Sequence, residues 1–225
     1  MTKYKEIFLT LLYFLAFYIL SLLIGGWFEI LKLFGDESWG LNYFELGYGI
    51  ILLPIIYFIT KKWNTKFLNT KFHKKWIIIS FFLGILFTVV QPILLNILNF
   101  SVGKELIDFK LKLTDFKVFE SKYALNFVSI IILIPIAEEF FFRGLIQGKL
   151  QEKYNLYLAI LTQAILFGLG HLNIEKLYYD LRLDWEWAYI TFLQGIILGF
   201  LFHKTKSLIP ALIMHIIGNL MVVLI

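Results

Sequence analysis

Seven stretches of apolar residues, separated by short polar segments, run along the 225-residue chain. They lie at approximately residues 7–28, 44–59, 76–100, 123–146, 156–172, 187–202 and 208–225. Most approach the roughly 20 residues that a helix needs to cross about 30 Å of hydrocarbon, and backbone groups in lipid must bond within their own segment. Alternating segments of about ten residues, as barrel strands require, do not occur. The pattern predicts an all-α, polytopic transmembrane helical bundle of about seven spans, organised as a single domain over 1–225.

The composition is typical of a protein whose solvent is a bilayer. Apolar residues make up 60% of the chain and charged residues 16%, against roughly 45–50% and 25% in soluble domains. The chain has no cysteine, which excludes disulfides, thiolate metal sites and a cysteine nucleophile. The first apolar stretch follows Lys3 and Lys5 as in a signal peptide, but it exceeds the roughly 7–15 residues of a signal core and no A-x-A site follows. We therefore expect it to be a retained anchor.

The basic residues predict the orientation of the bundle. The net charge is +5. In a membrane protein, excess Lys and Arg are most simply explained by contact of cytoplasmic loops with anionic lipid. We therefore expect membrane lipids, and no nucleic acid, as partners. If the N-terminus is inside and seven spans alternate, 13 of the 21 basic residues lie inside, six of them Lys in the segment 61–75. This predicts a multi-pass protein of the cell membrane with a cytoplasmic N-terminus. The mixed charges and spaced apolar residues of 101–122 predict an interfacial amphipathic helix.

The fourth stretch contains charges where lipid makes them costly, which usually marks function. Glu138 and Glu139 are adjacent, and Arg143 lies four residues after Glu139, so Glu139 and Arg143 share a helix face and are expected to pair. A buried pair that only holds helices together explains these two residues equally well. Glu138 points about 100° away from Glu139 on a helix, and a second carboxylate adds repulsion and desolvation cost. A functional role is therefore favoured for Glu138.

Two histidines and an amide occur in later apolar stretches. His171 follows Phe167 at i+4, and His215 and Asn219 are i,i+4 on one face of the last helix. Each alone is explained by hydrogen bonding between helices. Small residues would let these helices approach closely. They are the glycines at 144, 148, 168, 170, 195, 199 and 218.

Simple arithmetic brings Glu138 and His171 together. They are 33 residues apart, and their midpoint falls at Tyr154 and Asn155, within the polar stretch 147–155. A tight turn in that stretch creates a hairpin of two antiparallel helices. Both residues then lie about 25 Å from the turn, at the same level and facing each other.

These side chains suit the hydrolysis of an acyl bond in a mostly apolar cavity. A buried Glu beside a His can take a proton from water. The remaining His and Asn can donate to the oxyanion of a tetrahedral intermediate. The alternative is a zinc ion held by Glu138, His171 and His215, with water in the fourth position, although the usual H-E-x-x-H motif is absent.

The motifs carry a resemblance to a known family. Glu138-Glu139-x-x-x-Arg143, Phe167-x-x-x-His171 and His215-x-x-x-Asn219 resemble, in order and spacing, the signature of the CPBP family of CAAX proteases and bacteriocin-processing proteins, also called Abi. The family-like catalytic region covers about 122–222. The resemblance implies an intramembrane endopeptidase whose cavity opens toward the cytosol and whose substrate is a membrane-associated peptide or protein.

The resemblance also implies a role for each residue of the motifs. Glu138 is the expected general base, His171 its partner on the water, and His215 with Asn219 the oxyanion donors. Glu139 and Arg143 are expected to be supporting residues. Members of the family have been described both as zinc enzymes and as metal-independent glutamate proteases. Of these we favour the mechanism without a cofactor, with zinc as the alternative.

Two functions of other classes compete with the enzyme. A non-catalytic immunity or scaffold protein could keep the polar cluster for packing, and a transporter or proton relay also uses intramembrane Glu and His. Inverted repeats, expected of many transporters, are not found in the sequence. The complete set of one Glu, two His and one Asn favours the protease, and the high Lys, Ile, Phe and Asn content suggests a bacterial membrane.

Overall fold

The computed structural model describes residues 4–31, 53–63, 74–103, 127–172 and 185–224. Within these ranges the chain folds into helices and contains no strand. The helices are α1 (Lys5–Leu31), α2 (Leu53–Trp63), α3 (Lys74–Ser101), α4 (129–153), α5 (Leu156–Leu169), α6 (Glu186–Thr205) and α7 (Leu208–Leu224). The predicted fold class, an all-α helical membrane bundle, is confirmed. The first part of the second stretch, most of the 61–75 segment and the predicted interfacial helix at 101–122 lie largely outside the described residues.

Helix α4 is continuous but changes its winding where the charged motif lies. Wide π turns at Ser129–Leu133 and Glu139–Gln147 alternate with α turns at Ile134–Glu138 and Gly148–Lys153. Pro135 stands at the start of the first α segment and has no N–H to donate to the preceding turn. Turns of this width are rare and frequently occur at functional sites. The sequence pattern did not predict them.

The predicted hairpin is present, with a tighter turn than the polar stretch indicated. Helix α4 continues through Gly148–Lys153, and the reversal uses only Tyr154 and Asn155. The Oδ1 of Asn155 accepts from the backbone N–H of Leu158 and so caps α5. The residues of 149–153 are good helix formers, which explains why polarity alone placed the helix end too early.

Close helix packing depends on some of the predicted glycines. A Cβ added at Gly168 would lie 2.6 Å from the carbonyl oxygen of Ala188, and one at Gly195 would lie 3.0 Å from the Cα of Ala164. Both contacts join α5 to α6. A Cβ at Gly84 would lie 2.8 Å from the carbonyl oxygen of Met214, which joins α3 to α7 in the same way. These approaches pack α5, which precedes His171, against α6, and α7, which carries His215, against α3.

Helix α1 packs more loosely than the others and presents apolar side chains outward. The residues from Lys5 to Ile24 are apolar and long enough to cross a membrane, yet only 17% of the most apolar window is buried. The exposed side chains include Leu11, Leu15 and Leu23. Among the described residues, Lys74–Ser101 is the second helix that is both long and apolar enough to cross a membrane, and two shorter apolar helices lie at Leu156–Leu169 and Leu208–Val223.

Two contacts hold α1 against α4. Near one end, Lys153 and Glu6 form an ion pair. Along the helix, Phe17 stacks on Phe141 with ring centroids 4.0 Å apart. The start of α1 therefore lies beside the α4–α5 turn.

Candidate active site

A cavity of about 510 Å³ lies among α1, α3, α4, α6 and α7. Four predicted site residues line it, namely Glu138, His171, His215 and Asn219. The other two predicted residues, Glu139 and Arg143, are 1% and 0% exposed and lie behind the cavity wall. The structure therefore brings the whole predicted set together and divides it into a lining group and a buried group.

Glu138 faces both histidines. Its Oε1 lies 3.9 Å from Nε2 of His171, and its Oε2 lies 3.6 Å from Nε2 of His215. This confirms the hairpin arithmetic for Glu138 and His171, because residues 33 positions apart meet at one level. The structure also places His215 of α7 beside Glu138, although the sequence did not determine the depth of His215 in the bundle. Each oxygen of one carboxylate thus faces a different imidazole.

His171 lies in the turn that follows α5 and is held by its own helix. Its Nδ1 lies 2.8 Å from the backbone carbonyl oxygen of Phe167, which belongs to the last turn of α5. A hydrogen on Nδ1 donates to that carbonyl, which leaves Nε2 as an acceptor directed at Glu138. The ring of Phe167 packs edge-on against His171 and His215, with centroids 4.8 and 5.7 Å away. The motif Phe-x-x-x-His therefore supplies both the hydrogen-bond acceptor and a packing surface.

Glu139 is the centre of a buried polar network. Its Oε1 accepts from Nη1 of Arg143 at 2.9 Å and lies 2.9 Å from Nδ1 of His215. The Arg143 guanidinium also lies over the Phe167 ring, 4.5 Å from its centroid. The predicted Glu139–Arg143 pair is present, and it has a third member that the sequence did not reveal. Through that member, Glu139 fixes the orientation of an imidazole in the cavity.

Asn219 is oriented by an irregularity in α4. Its Nδ2 donates to the carbonyl oxygen of Ile130 at 3.1 Å. In the π turn before Pro135, the N–H of Ile134 bonds to Ser129. In the same pattern of bonds between residues five apart, the Ile130 carbonyl would accept from the N–H of residue 135. That residue is a proline and has no N–H. The missing backbone donor explains why this carbonyl accepts from a side chain of another helix.

The possible zinc ligands of the site are Glu138, His171 and His215, whose oxygen-to-nitrogen separations are 3.9 and 3.6 Å. In the ranges that the structure describes, no group of three His, Asp or Glu side chains is arranged to hold a metal ion.

Sequence reasoning missed several polar residues of the cavity wall. Gln91 and Thr88 from α3 and Gln194 from α6 line the cavity beside the predicted set. They carry no formal charge, so a search for ionisable residues in apolar stretches passed over them. The signal was nevertheless present, since a glutamine in the middle of an apolar segment is as unusual as a lone histidine.

Comparison with known proteins gives two findings. Residues 120–221 match the family described as type II CAAX prenyl endopeptidase Rce1-like. The Bacillus subtilis (strain 168) protein named "Putative membrane peptidase YdiL" is 30% identical over 93 residues, which is 41% of this chain. The matched part spans 34% of that relative, about a third of its length.

No solved structure matches the chain. The matched family segment contains all three motifs and every predicted site residue. Residues 120–221 are therefore similar to the Rce1-like CAAX proteases, which confirms the resemblance of this part of the chain to the CPBP family.

Proposed function

We propose that the protein is an intramembrane endopeptidase that hydrolyses a peptide bond of a membrane-associated peptide or protein. The observation that carries the proposal is the position of Glu138, whose two carboxylate oxygens face two imidazoles at the wall of a cavity of about 510 Å³. The similarity of residues 120–221 to CAAX endopeptidases supports the same reaction class.

In the proposed reaction Glu138 activates water. Its separations of 3.9 and 3.6 Å from the imidazole nitrogens exceed a direct hydrogen bond of about 2.7–3.2 Å. The gap between Glu138 and Nε2 of His171 suits two acceptors that share one donor, and a water molecule bound by both is such a donor. Glu138 takes a proton as the water oxygen attacks the carbonyl carbon of the peptide. The same proton can then pass to the leaving nitrogen when the C–N bond breaks.

The tetrahedral intermediate requires donors for its oxyanion. Asn219 uses one N–H on Ile130, and its amide group has a second N–H to offer. His215 contacts Glu139 through Nδ1, so a ring that carries both protons donates the other from Nε2 toward the cavity. Donors fixed in this way stabilise developing charge without reorganisation during the reaction.

The protease proposal includes a multi-pass topology in the cell membrane with the N-terminus in the cytoplasm. The ion pair between Glu6 and Lys153 supports it, since α1 and the α4–α5 turn then share the cytoplasmic side. The chain has no native cysteine to interfere with labelling. A cysteine introduced at position 66 should resist a membrane-impermeant maleimide in intact cells and react after permeabilisation. Reaction in intact cells would contradict this orientation.

The reaction itself can be tested with purified protein in detergent micelles. A library of apolar peptides is incubated in H₂¹⁸O, and mass spectrometry detects new carboxyl termini that carry one ¹⁸O. Wild type and Glu152→Gln should cleave, while Glu138→Gln should not. Glu152 is an exposed carboxylate of the same helix and provides the matched control. Equal cleavage by Glu138→Gln would refute the mechanism and favour the scaffold function.

A chelator series addresses the cofactor separately. We propose a metal-independent mechanism, so cleavage should be unchanged after treatment with 1,10-phenanthroline. Loss of activity that zinc restores would contradict that part of the proposal and would support Glu138, His171 and His215 as ligands.

A further inference from the structure

Two glutamines of the cavity wall have no part in the proposed hydrolytic steps. Gln91 on α3 and Gln194 on α6 are 9% and 7% exposed, and both line the cavity that holds Glu138. Within the described ranges of the chain, neither side chain has a hydrogen-bond partner. Their amides instead line the cavity, as two polar groups in a mostly apolar wall. Two amides that bond no other helix and line the same cavity as Glu138 are available to bind a ligand there.

Two other glutamines show what a structural amide looks like in this protein. Gln147 and Gln163 are both fully buried. Their Nε2 atoms donate to the carbonyl oxygens of Gly199 and Gly195 at 2.9 and 2.7 Å. These bonds join α4 and α5 to α6. Gln194 is the neighbour of Gly195 on α6, yet it lines the cavity and makes no such bond to a carbonyl of another helix in the described ranges.

The space beside Gln194 is kept open by a glycine. A Cβ added at Gly218 would lie 3.2 Å from Nε2 of Gln194. Gly218 precedes Asn219 directly and follows His215 by nearly one turn. The opposite side of Gly218 contacts α3, where Thr88 Oγ1 lies 3.5 Å from its carbonyl oxygen. Gln91 lies one turn beyond Thr88, so α3 and α6 bring an amide each to the region around the proposed oxyanion donors.

We propose that Gln91 and Gln194 form a subsite that binds the main chain of an extended peptide next to the bond that is cleaved. Each glutamine amide offers one acceptor and two donors, which complement the C=O and N–H of a peptide unit. The surrounding wall is mostly apolar, with Phe87, Ile190 and Val222 among its residues, and suits apolar side chains. The inference rests on the proposed protease function and assigns to it a substrate class, extended polypeptide recognised through its backbone.

The test measures binding, so that it does not depend on cleavage. Protein carrying Glu138→Ala is immobilised from detergent and equilibrated with a library of unstructured apolar decapeptides, and retained peptides are quantified by mass spectrometry. Adding Gln91→Met or Gln194→Met should lower retention by about 3- to 10-fold for each lost amide. Peptides with N-methylated backbone nitrogens should bind the parent more weakly, and Gln194→Met should add little to that loss.

Thermal stability distinguishes binding from structure. Gln91→Met and Gln194→Met remove amides that line the cavity and bond no other helix in the described ranges, so the melting temperature should stay near that of the parent. Gln163→Met breaks a bond between helices, and it should lower the melting temperature without selecting against N-methylated peptides. Equal retention by all variants, indifference to N-methylation or no retention by the parent would each overturn the subsite. Cleavage by Glu138→Gln would instead refute the protease mechanism, whatever the retention data show.

Discussion

Glu138 and Glu139 are neighbours on α4, but their two carboxylates lie in different environments. Glu139 lies on the packed side, is 1% exposed and contacts both Arg143 and His215 at 2.9 Å. Glu138 lies on the cavity side and faces Nε2 atoms at 3.9 and 3.6 Å. The packed side makes two short contacts with one oxygen of Glu139, whereas the cavity side leaves space for a small molecule between Glu138 and the imidazoles.

The difference separates what holds the site from what performs the chemistry. A buried ion pair need not stabilise a fold relative to an apolar pair, but removal of one partner leaves an uncompensated charge and is costly. Residues of the packed side should therefore report mainly on stability. Residues of the cavity side should report on activity, because substitution there removes groups that contact water or substrate. His215 belongs to both sides and links them.

The largest expected effect is on the cavity side. Glu138→Gln keeps the shape of the side chain and removes the base, so cleavage should fall by about 10²–10⁴-fold or to the detection limit. His171→Ala should act similarly, since its Nε2 is the partner on the water. The melting temperature of both variants should remain near that of wild type. A large loss of folded protein in either variant would erase the distinction between the two sides.

The next effect is on the packed side. Glu139→Gln leaves Arg143 buried without its counter-charge, and we expect the free energy of unfolding to fall by about 3–5 kcal/mol. The double variant Glu139→Gln/Arg143→Met removes the uncompensated charge and should recover much of that stability. Unfolding in detergent, followed by circular dichroism, measures both. A Glu139→Gln protein that is stable but inactive would contradict a purely structural role and would indicate that Glu139 takes part in catalysis.

A smaller loss is expected for one oxyanion donor. Asn219→Ala removes the amide that Ile130 orients, and loss of one such donor typically costs about 10²–10³ in rate. Residual cleavage should therefore be detectable with the ¹⁸O readout. Because Asn219 is only partly buried, folding should be affected little. An Asn219→Ala protein with wild-type turnover would assign the oxyanion to His215 alone.

The smallest predicted effect acts through the backbone of α4. Pro135→Ala supplies an N–H that competes with Asn219 for the Ile130 carbonyl, so Asn219 should lose its orientation while remaining present. We expect a reduction of turnover smaller than that of Asn219→Ala. The double variant Pro135→Ala/Asn219→Ala should lose no more than Asn219→Ala alone, since both changes act on one donor. Fully additive losses would show that Pro135 acts by another route.

The apolar pattern was sufficient to predict the helices, because hydrophobic segments of this length have few alternatives in lipid. The spacing of charged motifs predicted the hairpin that brings Glu138 to His171, since helix rise converts residue number into depth. It also predicted the Glu139–Arg143 pair, which is local. These conclusions depend on distance along one helix or across one short turn, and sequence determines both.

Other features depend on how separate helices are rotated against one another, which spacing does not determine. His215 binds Glu139 across 76 residues, and Asn219 reaches Ile130 across 89. Pro135 leaves the Ile130 carbonyl without a backbone donor, and α7 supplies that donor from a distant part of the chain. Gln194 faces the cavity while its neighbour Gly195 faces α5, a choice made by packing around Ala164. The tertiary structure alone decided these contacts, because each side chain's environment is set by helices distant in sequence.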